Sequence, residues 1–153
     1  MMRSIFKIFS LFFFSFILST AATATEHGTA QEAEAMVKKA IAYMKTNGQE
    51  KALAEFNNPK GSFVDRDLYV WVAENNGKAI AHGANQRLVG KDLRTLRDVD
   101  NKAFIEEIMT MANSKGKGWV DYKWPNPVTK AIEAKSTYFE KSGDLIFACG
   151  IYK

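Results

Sequence analysis

From Ala33 to Met44 the apolar residues Ala33, Met36, Val37, Ala40, Ile41 and Met44 recur on one face of a 3.6-residue period, which predicts an amphipathic helix. Glu32, Glu34, Lys38, Lys39 and Lys45 occupy the remainder, acidic first and basic last, as the helix dipole favours. Asn47-Gly48 ends or bends this helix, and Gln49 to Asn57 predicts a further helical stretch before Asn58-Pro59. After Gly61 the period falls to two. Leu68, Val70 and Val72 alternate with Tyr69, Trp71 and Ala73 in a strand, Glu74-Asn75-Asn76-Gly77 turns the chain, and Lys78 to His82 returns as the second arm of a hairpin.

Gly83 to Asp100 is polar and predicts an irregular connection with at most one short helix. Ala103, Ile105, Ile108, Met109, Met111 and Ala112 restore the helical spacing, with Asp100 or Asn101 expected as N-cap and Lys115-Gly116-Lys117-Gly118 as the stop. Three strand-like runs follow, Trp119 to Trp124, Lys130 to Glu140 and Leu145 to Tyr152, separated by Pro125-Asn126-Pro127 and Ser142-Gly143-Asp144. Links this short force antiparallel neighbours. The order helix, hairpin, helix, three-strand meander predicts an α+β domain with the long helix on one face of the sheet.

The head of the chain reads differently. Arg3 and Lys7 precede an apolar run from Ile8 to Leu18, and Ala22-Thr23-Ala24 supplies small residues for a signal peptidase. Residues 1–24 are therefore expected to be a signal peptide and 25–153 a single domain, with retention of the segment as an uncleaved anchor as the alternative. Removing those 24 residues, Arg3 and Lys7 among them, from a chain of 153 with net charge +4 leaves 129 residues at +2. That charge is too small and too interspersed with acids for a nucleic-acid partner. One cysteine, Cys149, excludes an intramolecular disulfide, a CxxC pair and a cysteine-based zinc site, and its apolar neighbours predict a buried strand residue.

Strand parity supplies the candidate chemistry. Leu68, Val70 and Val72 form an aliphatic face for the long helix, while Tyr69 and Trp71 point the other way and Tyr122 and Trp124 share one side of the third strand. Aromatic bodies with polar tips beneath an irregular loop suit either a second core or a small-ligand pocket, and His82 and Lys135 are the polar groups that would converge there.

Several segments resemble one family: Asp67-Leu68-Tyr69-Val70-Trp71-Val72, Ala81-His82-Gly83, Leu88-Val89-Gly90-Lys91-Asp92-Leu93, Gly118-Trp119-Val120-Asp121-Tyr122 with Trp124-Pro125, Lys135-Ser136-Thr137-Tyr138 and Gly150-Ile151-Tyr152. In their order they resemble the single Cache domain (type 2) of bacterial extracytoplasmic sensors, from about Ala33 to Lys153. The resemblance implies a PAS-like five-stranded antiparallel sheet, a long N-terminal helix on one face, and a ligand pocket on the other. It also implies a periplasmic or secreted sensor for a small molecule, a short carboxylate favoured, with Tyr69, Trp71, His82, Tyr122, Trp124 and Lys135 as ligand contacts. Where the family commonly has proline after the histidine, this chain has Gly83. With no second apolar span before Lys153, signalling is expected to run through a membrane receptor or sensor kinase. The alternative is an interaction module that forms a homodimer or docks on a receptor without a small ligand.

No cofactor, metal or catalytic step is expected. Counted from Asp98 or Asp100, the positions where a calcium loop needs Gly and Glu hold Ala103 and Met109, or Ile105 and Met111. Gly116-Lys117-Gly118-Trp119-Val120-Asp121 lacks the last glycine of a dinucleotide loop and lies between a helix and a strand in the wrong order. His27, the other histidine, is expected in a mobile N-terminus.

Overall fold

The computed structural model describes residues 27–153, so the expected signal segment lies outside the described residues. Helix α1 runs Ala30–Asn47. The Thr29 hydroxyl accepts the Glu32 amide and the Glu32 carboxylate accepts the Thr29 amide, two reciprocal bonds that satisfy donors the first helical turn leaves open. Helix α2, Gln49–Phe56, follows directly after Gly48.

The strands are β1 Val64–Asp65, β2 Leu68–Glu74, β3 Ala79–His82, β4 Lys117–Pro125, β5 Ile132–Ser142 and β6 Leu145–Tyr152. They form one antiparallel sheet in the order β1-β2-β6-β5-β4, with β3 also paired to β2. The expected five strands are all present, and β1 adds a short sixth. In the β2–β3 turn, only Gly77 has positive φ, +88°. Its amide donates to the Glu74 carbonyl while the Glu74 amide donates to the Lys78 carbonyl, so three residues rather than two close the hairpin.

Strand parity separates two cores. Ala33, Val37, Ala40 and Ile41 of α1, with Ala52 and Phe56 of α2, pack on Leu68, Val70, Val72, Tyr138, Phe147 and Cys149. Each large side chain removed from water in this layer contributes about 1.5–3 kcal/mol. Cys149 is buried as expected, its thiol is pushed up to about 12 by burial, and its sulfur lies 3.7 Å from Met36 Sδ.

Helix α3, Phe104–Lys115, covers the opposite face through Phe104, Ile105, Ile108 and Ala112. Its N-cap is Ala103, which provides no side-chain cap, rather than the expected Asp100 or Asn101. The aspartate carboxylate upstream serves the loop instead: Asp98 accepts the amides of Asp100, Lys102 and Lys123 and so ties the loop to β4. The connection from β3 to α3 holds two short 3-10 turns, Gln86–Leu88 and Leu93–Thr95, started by the Asn85 and Asp92 side chains. His27, expected to be mobile, is fixed: its Nδ1 lies 2.7 Å from the carboxylate of the buried Asp67, which also accepts the Gly28 amide at 2.8 Å.

Candidate functional site

The six candidate residues share one face of the sheet. Tyr122 is paired with Lys135 across β4–β5, and Lys135 with Tyr152 across β5–β6, which aligns the three in one row. Trp71 is paired with both His82 and Ala148, and two-residue alternation then puts Tyr69 and Trp124 on the same side. The register needed to join these rows comes from strand pairing across the whole chain.

Tyr69, Trp71, His82, Tyr122 and Trp124 line a cavity roofed by Leu88, Leu93 and Leu96 from the connection and by Phe104 and Ile105 from α3. Its volume is about 20 Å³. That is room for a single water, smaller than the open pocket expected for a small organic solute. The rings fill the space themselves: Phe104 stacks on Tyr122 with centroids 4.0 Å apart at 10°, and its edge meets Trp124 at 5.2 Å. An outer cleft of about 220 Å³ adjoins, sharing Tyr69 and Trp124 and bounded by Asn85, Pro125 and Lys130.

Lys135 does not line the cavity but lies behind its wall, 1% exposed. Its Nζ is 2.6 Å from Tyr69 Oη and 3.0 Å from Tyr152 Oη, and the Tyr152 hydroxyl donates onward to the Pro125 carbonyl at 2.8 Å. Among the described residues no carboxylate forms an ion pair with it. Burial lowers its affinity for a proton to about 7, against the opposing pull of Cys149 and Asp67. His82 is pushed down to about 3, by burial first and by the Lys135 charge second. Its Nδ1 accepts the Asn85 amide, which leaves the ring proton on Nε2. Burial raises Tyr69, Tyr122 and Tyr152 above the ordinary phenol range, so all three remain protonated at neutral pH.

Tyr152 and Thr137 belong to this group and were not among the candidates. Thr137 Oγ1 lies 2.8 Å from Tyr122 Oη. Thr137 alternates with Lys135 along β5, whereas Tyr152 meets Lys135 only through the β5–β6 register.

A model of the family described as single Cache domain 2 matches residues 15–147. The methyl-accepting chemotaxis protein McpP of Pseudomonas putida is 34% identical over 90 residues, 58% of this chain, and the chain spans 16% of that protein's length. Among solved structures, a methyl-accepting chemotaxis protein from Vibrio parahaemolyticus aligns over 80% of this chain and 86% of its own, with TM-score 0.67 and 26% identity. A Cache chemosensory domain solved for the structural basis of its carboxylic acid recognition aligns over the same shares, with TM-score 0.63 and 25% identity.

Proposed function

The chain belongs to the single Cache domain 2 family, extracytoplasmic sensor domains of chemotaxis receptors, and from that premise we propose that residues 25–153 form one periplasmic or secreted domain that binds a small organic acid without a catalytic step. Signal transduction then passes through a partner, a chemotaxis receptor or sensor kinase. Residues 1–24 are proposed to direct export as a cleaved signal peptide. Among the described residues no helix is long and apolar enough to cross a membrane.

The observation that carries this reading is the buried Lys135, with no carboxylate partner among the described residues, set behind the Tyr69 hydroxyl at the wall of an aromatic cavity. A buried cation without a counter-charge is costly, and an entering carboxylate would offset that cost. Tyr69, His82 and Tyr122 supply O–H or N–H donors toward the anion, while Trp71 and Trp124 enclose the apolar part. Carboxylic acid recognition in the structurally similar Cache domain supports the ligand class. Entry requires the Leu88, Leu93 and Leu96 roof to move outward, because the cavity as it stands has room for only one water.

That small volume is also the one observation favouring a second reading, an interaction module that binds protein without a small ligand. A thermal-shift series of acetate, propionate, pyruvate, succinate and amino acids separates the two. A ligand at a hundred times its Kd adds ~2.7 kcal/mol, which raises Tm on the order of 5 °C or more. The sensor reading expects a carboxylate hit that is lost in folded Trp124→Ala and Lys135→Ala variants. No hit, or hits unchanged by both substitutions, overturns it.

A further inference from the structure

Resting on the carboxylate reading above, we propose that Lys135 takes up a proton as an anionic ligand enters, with the Tyr69 hydroxyl as the relay, so that binding is coupled to proton uptake and weakens as pH rises. The Tyr152 hydroxyl donates to the Pro125 carbonyl and so accepts from Lys135. Tyr69, 2.6 Å from Nζ, has no carbonyl or carboxylate acceptor among the described residues, and the one other oxygen within hydrogen-bond reach of its hydroxyl there is that of Tyr152 at 3.4 Å. The same heavy-atom positions therefore serve two protonation states. As a neutral amine, Lys135 donates to Tyr152 and accepts the Tyr69 O–H. As an ammonium it donates to both oxygens, and the Tyr69 O–H is released toward the cavity that Tyr69 lines.

An anion in the cavity favours the second arrangement twice over, by accepting the released O–H and by the attraction of the ammonium behind it. The proton comes from solvent and adds to the Nζ lone pair; no bond between heavy atoms forms or breaks. The other titratable groups facing Lys135 are Tyr69 from β2, Tyr152 from β6, Tyr122 from β4 and His82 from β3, with Cys149 of β6 and Asp67 of the β1–β2 turn acting through the sheet. The phenols and the thiol stay protonated and His82 stays neutral through the range from pH 5 to 9. Asp67 is held by His27 and Gly28. With Lys135 near 7, it changes state across neutral pH while the phenols, the thiol and His82 do not.

Propionate titrated calorimetrically into the full chain at pH 5.5, 7.0 and 8.5, in phosphate and in Tris, tests this. The expected result is close to one proton taken up per propionate at pH 8.5, close to none at pH 5.5, and a Kd that weakens about tenfold per pH unit above 7. A Kd and a binding enthalpy independent of pH and buffer overturn the linkage while leaving the carboxylate reading in place. Absence of propionate, acetate and pyruvate binding at every pH overturns both. Lys135→Met, checked for folding by circular dichroism, is expected to lose the proton uptake together with most of the affinity; retained proton uptake in that variant places the titrating group elsewhere and overturns the assignment.

Discussion

Gly150 is the gap through which Lys135 crosses the sheet. Lys135 pairs with Tyr152 in the β5–β6 ladder, yet its amine reaches Tyr69 on β2, beyond β6. Its path lies over Gly150, where an added Cβ would overlap Lys135 Cε and Thr137 Oγ1. The hydrogen bond between the amine and the β2 tyrosine thus depends on a missing side chain on the strand between them.

Gly150→Ala is therefore expected to destabilise the domain by about 1–3 kcal/mol, the usual range for over-packing a filled core. Part of that loss should return when Lys135→Ala is combined with it, because shortening the lysine removes one of the two overlaps. Urea unfolding of the two single variants and the double variant measures the coupling. Strict additivity would show that the methylene chain does not use this gap.

Lys135→Met is expected to alter the pH dependence of stability. The folded protein releases the Lys135 proton near 7, whereas the unfolded chain holds it until about 10.4. Unfolding therefore takes up a proton between these values, and stability rises with pH across that window by several kcal/mol, on the order of 5. Above pH 10 the trend reverses, because Tyr69, Tyr122 and Tyr152 hold protons in the folded state that the unfolded chain gives up. The methionine variant should be flat from pH 7 to 9.5 and more stable than the parent at pH 6, as denaturant midpoints at fixed pH values will show.

Local periodicity made the elements and their faces legible. Alternation in Leu68–Ala73 separates the helix-facing Leu68, Val70 and Val72 from Tyr69 and Trp71, and the structure maintains that division. What alternation does not carry is register. Tyr152 alternates correctly with Gly150, but its meeting with Lys135 depends on how β6 slides against β5. The start of α3 differs from the expected Asp100 or Asn101 for a related reason. The Asp100 carboxylate pairs with Lys123 of β4 at 2.9 Å and Asn101 takes positive φ in the loop, so neither caps the helix that begins after Ala103. His27 was missed because its partner, Asp67, is 40 residues away.

Asp67 fastens the approach to α1. Its buried carboxylate accepts both the His27 ring and the Gly28 amide, directly before the Thr29 N-cap. Asp67→Ala leaves the buried Gly28 N–H without its partner and is expected to cost about 1–3 kcal/mol. Hydrogen exchange should quicken at Gly28 and in the first turn of α1 before any change in β5 and β6. Uniform quickening through the sheet would show instead that the contact supports the whole fold and not this end.

The roof sets the size of what can enter. Leu93 is 2% exposed and closes the cavity against Phe104 and Ile105, and the 3-10 turn that carries it is started by the Asp92 carboxylate accepting the Arg94 amide. Leu93→Ala removes three carbons from this lid and is expected to cost about 2–5 kcal/mol, with the spread set by how far Leu88 and Leu96 collapse into the space. If the cavity is the carboxylate site, the same substitution should move the preferred ligand toward longer chains, because its added volume lies on the apolar side, away from Lys135 and Tyr69. Thermal-shift profiles for straight-chain carboxylates of two to six carbons, compared between parent and variant at equal distance below Tm, measure that movement. A profile that weakens for every length without shifting its maximum would place the binding surface in the outer cleft of Asn85, Pro125 and Lys130 instead.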